Sequence, residues 1–234
     1  MKKQLTKTEV EQLLSTLDNN GYAVLKNLLD SKDCDELRAG YDQPNLYRKT
    51  IVMERYRFGI GEYKYFNYPL PEIIQKIRTT IYQLLVPVAN EWMLRLNVEA
   101  RYPAMHEDFL ETCRRKGQDK ATVLILKYGK SGYNCLHQDL YGAIYFPFQL
   151  VIFLTEPGKD YEGGEFVLKE QMPRAQSKAI VLKPVKGDML VFTTNFRPMK
   201  GSRGYYRVNM KHGVSEITDG SRFTLGIIFH DAKT

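Results

Sequence analysis

Three runs in close succession decide the fold: Thr122-Val123-Leu124-Ile125-Leu126-Lys127-Tyr128, Tyr133-Asn134-Cys135-Leu136-His137-Gln138-Asp139 and Gln149-Leu150-Val151-Ile152-Phe153-Leu154. Each is short, contains an aromatic residue (with β-branched residues in the first and third), and is set off by Gly or Pro, which is the pattern of a strand rather than a helix. Toward the C-terminus five further segments share that texture, at 165–168, 179–182, 189–193, 206–214 and 222–229. Turn-forming clusters punctuate them, namely Pro157-Gly158-Lys159-Asp160, Gly163-Gly164, Lys186-Gly187-Asp188 and Thr218-Asp219-Gly220. Eight strands of this length predict a double-sheet jelly roll, that is, a double-stranded β-helix.

Upstream the period changes. Thr6-Lys7-Thr8-Glu9 forms a capping box ahead of Val10, Leu13, Leu14 and Leu17, whose spacing is helical until Asn19-Asn20-Gly21 stops it. Tyr22-Ala23-Val24-Leu25 reads as a short strand, and a second helix starts near Ser31. The longest helix follows Pro71 through Ile74, Ile77, Ile81, Leu84 and Leu85, with a break or kink expected at Pro87. The predicted class is therefore α+β: a mainly helical portion over 1–120, packed on a β-core over 121–234 as one integrated domain.

Bulk properties narrow the function. With 234 residues, 43% of them hydrophobic, the chain can bury a real core. The start lacks the apolar run of an export signal and no stretch is long enough to span a bilayer, so a cytoplasmic protein with no membrane role is expected. Cys34, Cys113 and Cys135 lie far apart without a C-x-x-C pair, which suggests neither a disulfide framework nor a thiolate zinc site. No obligate protein partner is evident. The net charge of +7 is uneven: 1–120 carries 19 basic and 17 acidic residues, whereas 121–234 carries 15 and 10. From Met189 to Ser215 there is no acid at all, while Arg197, Lys200, Arg203, Arg207 and Lys211 occur with Phe196, Tyr205 and Tyr206. Such a mixture can contact phosphates and stack on bases, or be a solvated loop between two strands.

The chemistry concentrates in the β half. Alternation along the second strand puts His137 and Asp139 on one face and Gln138 on the other, so two ligands can converge on one ion. His212 on the seventh strand can complete a two-histidine, one-carboxylate site with open coordination positions, the pattern of non-haem iron(II). Ten residues on, Arg222 begins the last strand, with Thr224 on the same face. A guanidinium fork with a nearby hydroxyl suits a carboxylate ligand, and no acidic residue in its own strand claims it.

With these residues in view, the chain resembles the iron(II)/2-oxoglutarate oxygenases, and within them a bacterial group described as oxygenases for oxidative demethylation of damaged DNA. The runs that carry the likeness include Asn134-Cys135-Leu136-His137-Gln138-Asp139-Leu140-Tyr141-Gly142, Gly163-Gly164-Glu165-Phe166, His212-Gly213-Val214-Ser215, and Thr224-Leu225-Gly226-Ile227-Ile228-Phe229-His230-Asp231. An upstream stretch, Arg57-Phe58-Gly59-Ile60-Gly61-Glu62-Tyr63, also fits, so the likeness covers nearly the whole chain. It implies iron(II) held by His137, Asp139 and His212, with 2-oxoglutarate and O₂ as co-substrates. It also implies a co-substrate site made by Arg222, Thr224 and Tyr128, which stands nine residues before His137, and places lid and substrate elements in the N-terminal portion. Demethylation of an N-alkylated base in DNA or other nucleic acid is the implied activity; for such a substrate the acid-free stretch offers Lys200, Arg203 and Arg197 as contacts. The chain departs from the AlkB-type dealkylases in having Leu126 where they have an asparagine, and in the shorter spacing from His212 to Arg222, which is similar to prolyl hydroxylases. Hydroxylation of a protein side chain or small molecule is therefore the alternative, and a non-catalytic, cupin-like metal-binding protein the second.

Other features are expected to be structural. Gly59-Ile60-Gly61 lacks the third glycine of a dinucleotide fingerprint and reads as a tight turn. Core or interface packing is expected for Tyr63, Tyr65, Phe66 and Tyr68, and buried structural roles for Cys135, His106 and His230.

Overall fold

Alternation along β7 (Phe148–Phe153) explains the layering. Leu150 and Ile152 point to one side and join a core with Leu13, Leu17, Ile74, Ile77, Leu85 and Trp92. Val151 and Phe153 point to the other side and pack with Phe166, Leu168, Val208 and Met210. One sheet therefore has helices on one face and a second sheet on the other, and β7 is buried along its whole length, apolar except at Gln149, because both faces are covered.

The computed structural model describes residues 4–233. From the N-terminus it contains α1 (Lys7–Asn20), β1 (Tyr22–Leu25), α2 (Ser31–Ala39), β2 (Tyr47–Val52), β3 (Gly59–Ile60), β4 (Glu62–Phe66), α3 (Glu72–Arg95) and α4 (His106–Arg114). After β5 (Leu124–Tyr128), β6 (Tyr133–His137) and β7 come β8 (Tyr161–Gly163), β9 (Phe166–Gln171), β10 (Lys178–Leu182) and β11 (Met189–Thr193). The last four strands are β12 (Phe196–Gly201), β13 (Gly204–Val214), β14 (Ile217–Gly220) and β15 (Arg222–Ile228). The major sheet runs β1-β11-β7-β15-β5-β4-β2 and the minor sheet β10-β9-β13-β6-β3, with β12 added to β13. This is the double-stranded β-helix that the strand pattern predicts.

All eight anticipated strands are present, and the capping box at Thr6 and Glu9 forms as expected, with Gly21 ending the helix at φ 78°. Three expectations need correction. The N-terminal portion is more than helical: β1 closes one edge of the major sheet, β4 and β2 extend the other edge from β5, and β3 joins the minor sheet. α3 continues through Pro87 without a break, because Ile74, Ile77, Ile81, Leu85, Ala89 and Trp92 bury one face along its whole length. Gly59-Ile60 is no tight turn but a strand paired with Asn134 and Tyr133 on β6. Gly59 has φ +138°, and a Cβ there would meet the Tyr133 carbonyl oxygen at 2.2 Å, so the close backbone approach selects glycine.

Candidate active site

The pairing of β13 with β6 places His212 directly opposite His137, and their ring centroids lie 4.1 Å apart. Asp139, two residues beyond, turns back onto both: its Oδ1 is 3.5 Å from His137 Nε2 and its Oδ2 is 3.2 Å from His212 Nε2. The ligand atoms these three residues offer all lie within 4.8 Å of one another. Gln138 faces away as alternation requires, donating through Nε2 to the carbonyls of Asn195 and Met210 and so pinning the segment that carries the triad. His137 Nδ1 lies 2.7 Å from the Cys135 carbonyl oxygen; an acceptor there makes Nδ1 the protonated nitrogen and leaves the Nε2 lone pair for a metal.

Electrostatics fit the same reading. Burial works against the Asp139 carboxylate, yet His137 and His212 outweigh it and hold the carboxyl well below its usual range. Burial, and then the charge of Asp139, push the Tyr141 phenol far up, so it stays a donor to Asp139 Oδ1 at 2.8 Å. His212 is pushed down by burial and by His137, which keeps it the neutral imidazole that a metal takes.

The triad opens onto a cavity of about 410 Å³ between the two sheets, which Tyr128, Arg222 and Thr224 also line. Arg222 is 1% exposed, makes no ion pair, and none of its three guanidinium nitrogens has a well-aligned hydrogen bond among the described residues. Its surroundings are the rings of Phe153, Tyr128 and Tyr161, at 5.3, 5.7 and 6.0 Å. A charge buried this way without a counter-ion suits an anion brought from outside the protein. Tyr128, opposite Arg222 in the strand register, accepts a hydrogen bond from Asn134 Nδ2 at 3.1 Å, so its own O–H remains free to donate. Burial pushes that phenol up to about 12 and Arg222 opposes it, so the proton is retained near neutrality. A site of two borderline imidazoles and one hard carboxylate, beside an uncompensated guanidinium, fits iron(II) and a dicarboxylate together.

The structure does not bring every expected residue here. Arg197 is buried and taken by Glu170, with Nη2 to Oε2 at 2.7 Å, and Nη1 reaches the Asn19 carbonyl; it is a core ion pair, not a phosphate contact. Its partner was hidden because Glu170 lies on another strand, outside the acid-free stretch. Lys200 and Arg203 are exposed on the β12–β13 hairpin, where neighbouring Tyr205 stacks against Arg95 at the end of α3. The hairpin turn is about eight residues from His212 along β13, roughly 26 Å at ~3.3 Å per residue. Cys135 lines the cavity mouth and is exposed, so it is not a buried filler. Tyr63 lines the cavity, whereas Tyr65 and Phe66 are core and Tyr68 is held by Arg78 and Asp231. His106 and His230 are fully buried structural groups. Sequence reasoning missed Asn134, Tyr141 and Gln149 as cavity residues; the place of Gln149 depends on pairing with Phe192, far along the chain.

Facial metal sites of this composition on a double-stranded β-helix define the iron(II)/2-oxoglutarate oxygenases, and this chain is one, using iron(II), 2-oxoglutarate and O₂. A family model described as an oxygenase "catalysing oxidative methylation of damaged DNA" matches residues 61–232, and the chain belongs to that family. Two uncharacterised proteins from Mycobacterium tuberculosis strains are each 45% identical to it over 167 residues, spanning 71% of this chain and 72% of theirs. Among solved structures, a prolyl-4-hydroxylase from Pseudomonas putida superposes with TM-score 0.58 at 13% identity, over 96% of this chain and 100% of that one. A Trichoplax adhaerens prolyl hydroxylase bound to a hypoxia-inducible-factor peptide gives 0.59 at 13% identity, over 96% and 91%. A 2OG-Fe(II) oxygenase-family oxidoreductase from Burkholderia pseudomallei gives 0.53 at 15% identity, over 98% and 96%. At these identities the likeness is one of fold.

Proposed function

We propose that the protein removes alkyl groups from N-alkylated bases in nucleic acid, with His137, Asp139 and His212 holding iron(II). In this reading Arg222 binds the far carboxylate of 2-oxoglutarate, and Tyr128 and Thr224 donate hydrogen bonds beside it. With iron and 2-oxoglutarate bound, O₂ would be the oxidant, taking two electrons from 2-oxoglutarate and two from the substrate: one oxygen atom ends in succinate, with CO₂ released, and the other enters a substrate C–H bond. Oxidation of an N-methyl group gives N–CH₂OH, which breaks its C–N bond to return the N–H base and formaldehyde. An oxygenase thus acts on a methylated base in the direction of removal, which is the sense taken here for the family's description.

One observation carries the nucleic-acid substrate. Beside the cavity mouth, which Arg57 and Phe58 line, Glu54 through Phe58 are all exposed, and the rings of Tyr56 and Phe58 stack at 5.4 Å. Arg55 and Arg57 make no ion pair among the described residues, and Arg57 lines the mouth itself. Exposed stacking rings with unpaired arginines suit a splayed nucleotide strand. Hydroxylation of a protein side chain is the second reading, favoured by the ten-residue step from His212 to Arg222.

Formaldehyde and succinate release across methylated oligonucleotides and candidate peptides tests the two together. Formaldehyde from an oligonucleotide is expected, and should disappear in His137→Ala, Asp139→Ala and His212→Ala proteins whose thermal unfolding stays near that of the parent. Full turnover by Asp139→Ala would rule out the triad.

A further inference from the structure

The cavity holds a second buried polar group that the protein leaves unsatisfied. Gln149 on β7 is 3% exposed and lines the cavity, and its Nε2 is buried without a hydrogen-bond partner among the described residues. An unpaired amide is costly in such a place, and an apolar residue of like volume would remove the cost. Its cross-strand neighbours, Phe192 and Ile228, are both apolar.

Register says what Gln149 faces. Phe192, opposite it on β11, has its ring centroid 4.8 Å from that of His212. Ile228, opposite it on β15, is six residues from Arg222, roughly 20 Å along the strand at ~3.3 Å per residue. Gln149 and Arg222 therefore mark opposite ends of the cavity. A five-carbon diacid anchored on Arg222 is directed toward the metal ligands, and Gln149, at the far end of this cavity wall, is left for a group of another molecule.

We infer that the Gln149 amide is a specificity-determining contact that reads the hydrogen-bonding edge of the substrate base beside the metal site. This rests on the base-dealkylase reading. Whichever way it is turned, the amide offers one donor and one acceptor in a plane, which matches the donor–acceptor edges of nucleobases. Phe166 and Phe192, in contact with each other at 4.9 Å, supply an aromatic wall for the ring.

The test uses the full-length protein with Gln149→Leu, and Gln149→Met as a second variant should the first misfold. Three quantities are read: formaldehyde release from oligonucleotides carrying N-methyladenine or N-methylcytosine, 2-oxoglutarate affinity from the anaerobic charge-transfer band with iron(II), and the melting temperature. kcat/KM is expected to fall at least tenfold, with 2-oxoglutarate affinity within twofold and a melting temperature equal or higher. A merely structural glutamine would show as a lower melting temperature. Undiminished kcat/KM would overturn the assignment, as would a tenfold loss of 2-oxoglutarate affinity, and either result leaves the base reading standing. If the parent protein releases no formaldehyde from any oligonucleotide yet oxidises a peptide, the base reading fails and takes this assignment with it.

Discussion

A guanidinium enclosed by three aromatic rings and no counter-ion makes Arg222 a liability until an anion arrives. Removing an unpaired buried charge relieves the folded state, while removing the anchor abolishes binding, so the two effects of one substitution should separate. Arg222→Leu is expected to melt at or above the parent temperature without ligand, and to lose the rise that 2-oxoglutarate gives the parent, about 2.7 kcal/mol at a hundredfold excess over Kd. Differential scanning with and without 2-oxoglutarate reads both; an unchanged rise would move the anchor elsewhere. The triad and Arg222 were legible in the sequence because strand alternation orients His137 with Asp139 and Arg222 with Thr224, and the resemblance to a known family joins His212 to them. Gln149 was not, since nothing local says that it meets Phe192.

Among the elements, α4 carries a device that the pattern of its residues conceals. His106, its first residue, is 1% exposed, lies beside the Tyr82 ring and sits 2.8 Å from the Phe229 carbonyl oxygen through Nε2. Burial lowers its pKa to about 3, aided by the charge of Arg78. The sign follows from proton counts. Above pH ~6.5 the ring is neutral in both states, whereas between ~6.5 and about 3 the unfolded chain binds a proton that the folded one refuses. Stability should therefore fall as pH drops through that window, by up to about 1.4 kcal/mol per pH unit for this residue. His106→Gln should flatten the pH dependence of denaturant midpoints below pH ~6; an unaltered slope would assign the acid sensitivity to other groups. Strand existence was legible here more than strand partnership. In sequence Phe196–Gly201 reads as a loop because Pro198 and its basic residues mask the alternation, yet it pairs along its length with β13, and Arg197 is buried only because Glu170 waits on β9.

For the whole molecule, the basic excess of the C-terminal half is less informative than where unpaired arginines meet the cavity. If nucleic acid threads past Tyr56 and Phe58, reversing Arg55 and Arg57 to Glu should weaken oligonucleotide binding and shrink its salt dependence, by about 0.7 in log–log slope for each phosphate that is no longer neutralised. Reversing Lys200 and Arg203, at the distant hairpin, should leave the slope near that of the parent. Fluorescence anisotropy across salt concentrations decides, and the opposite ranking would restore the hairpin as the nucleic-acid contact. The architecture as a layered α+β protein was legible throughout, but the division near residue 120 is crossed by sheet pairing on both edges.

That pairing also sets a timetable for the nascent chain. β1 leaves the ribosome early, but its partner does not: Tyr22 pairs with Phe192, 170 residues later. At about 5–20 residues per second the wait is on the order of ten to thirty seconds. Through that interval Tyr22, Ala23, Val24 and Leu25 present an unpaired strand, and the apolar stripe of α1 has no sheet to lie on. The strand made first thus waits for a partner made near the end of the chain, and protection of that short segment during synthesis becomes a requirement built into the order of the strands.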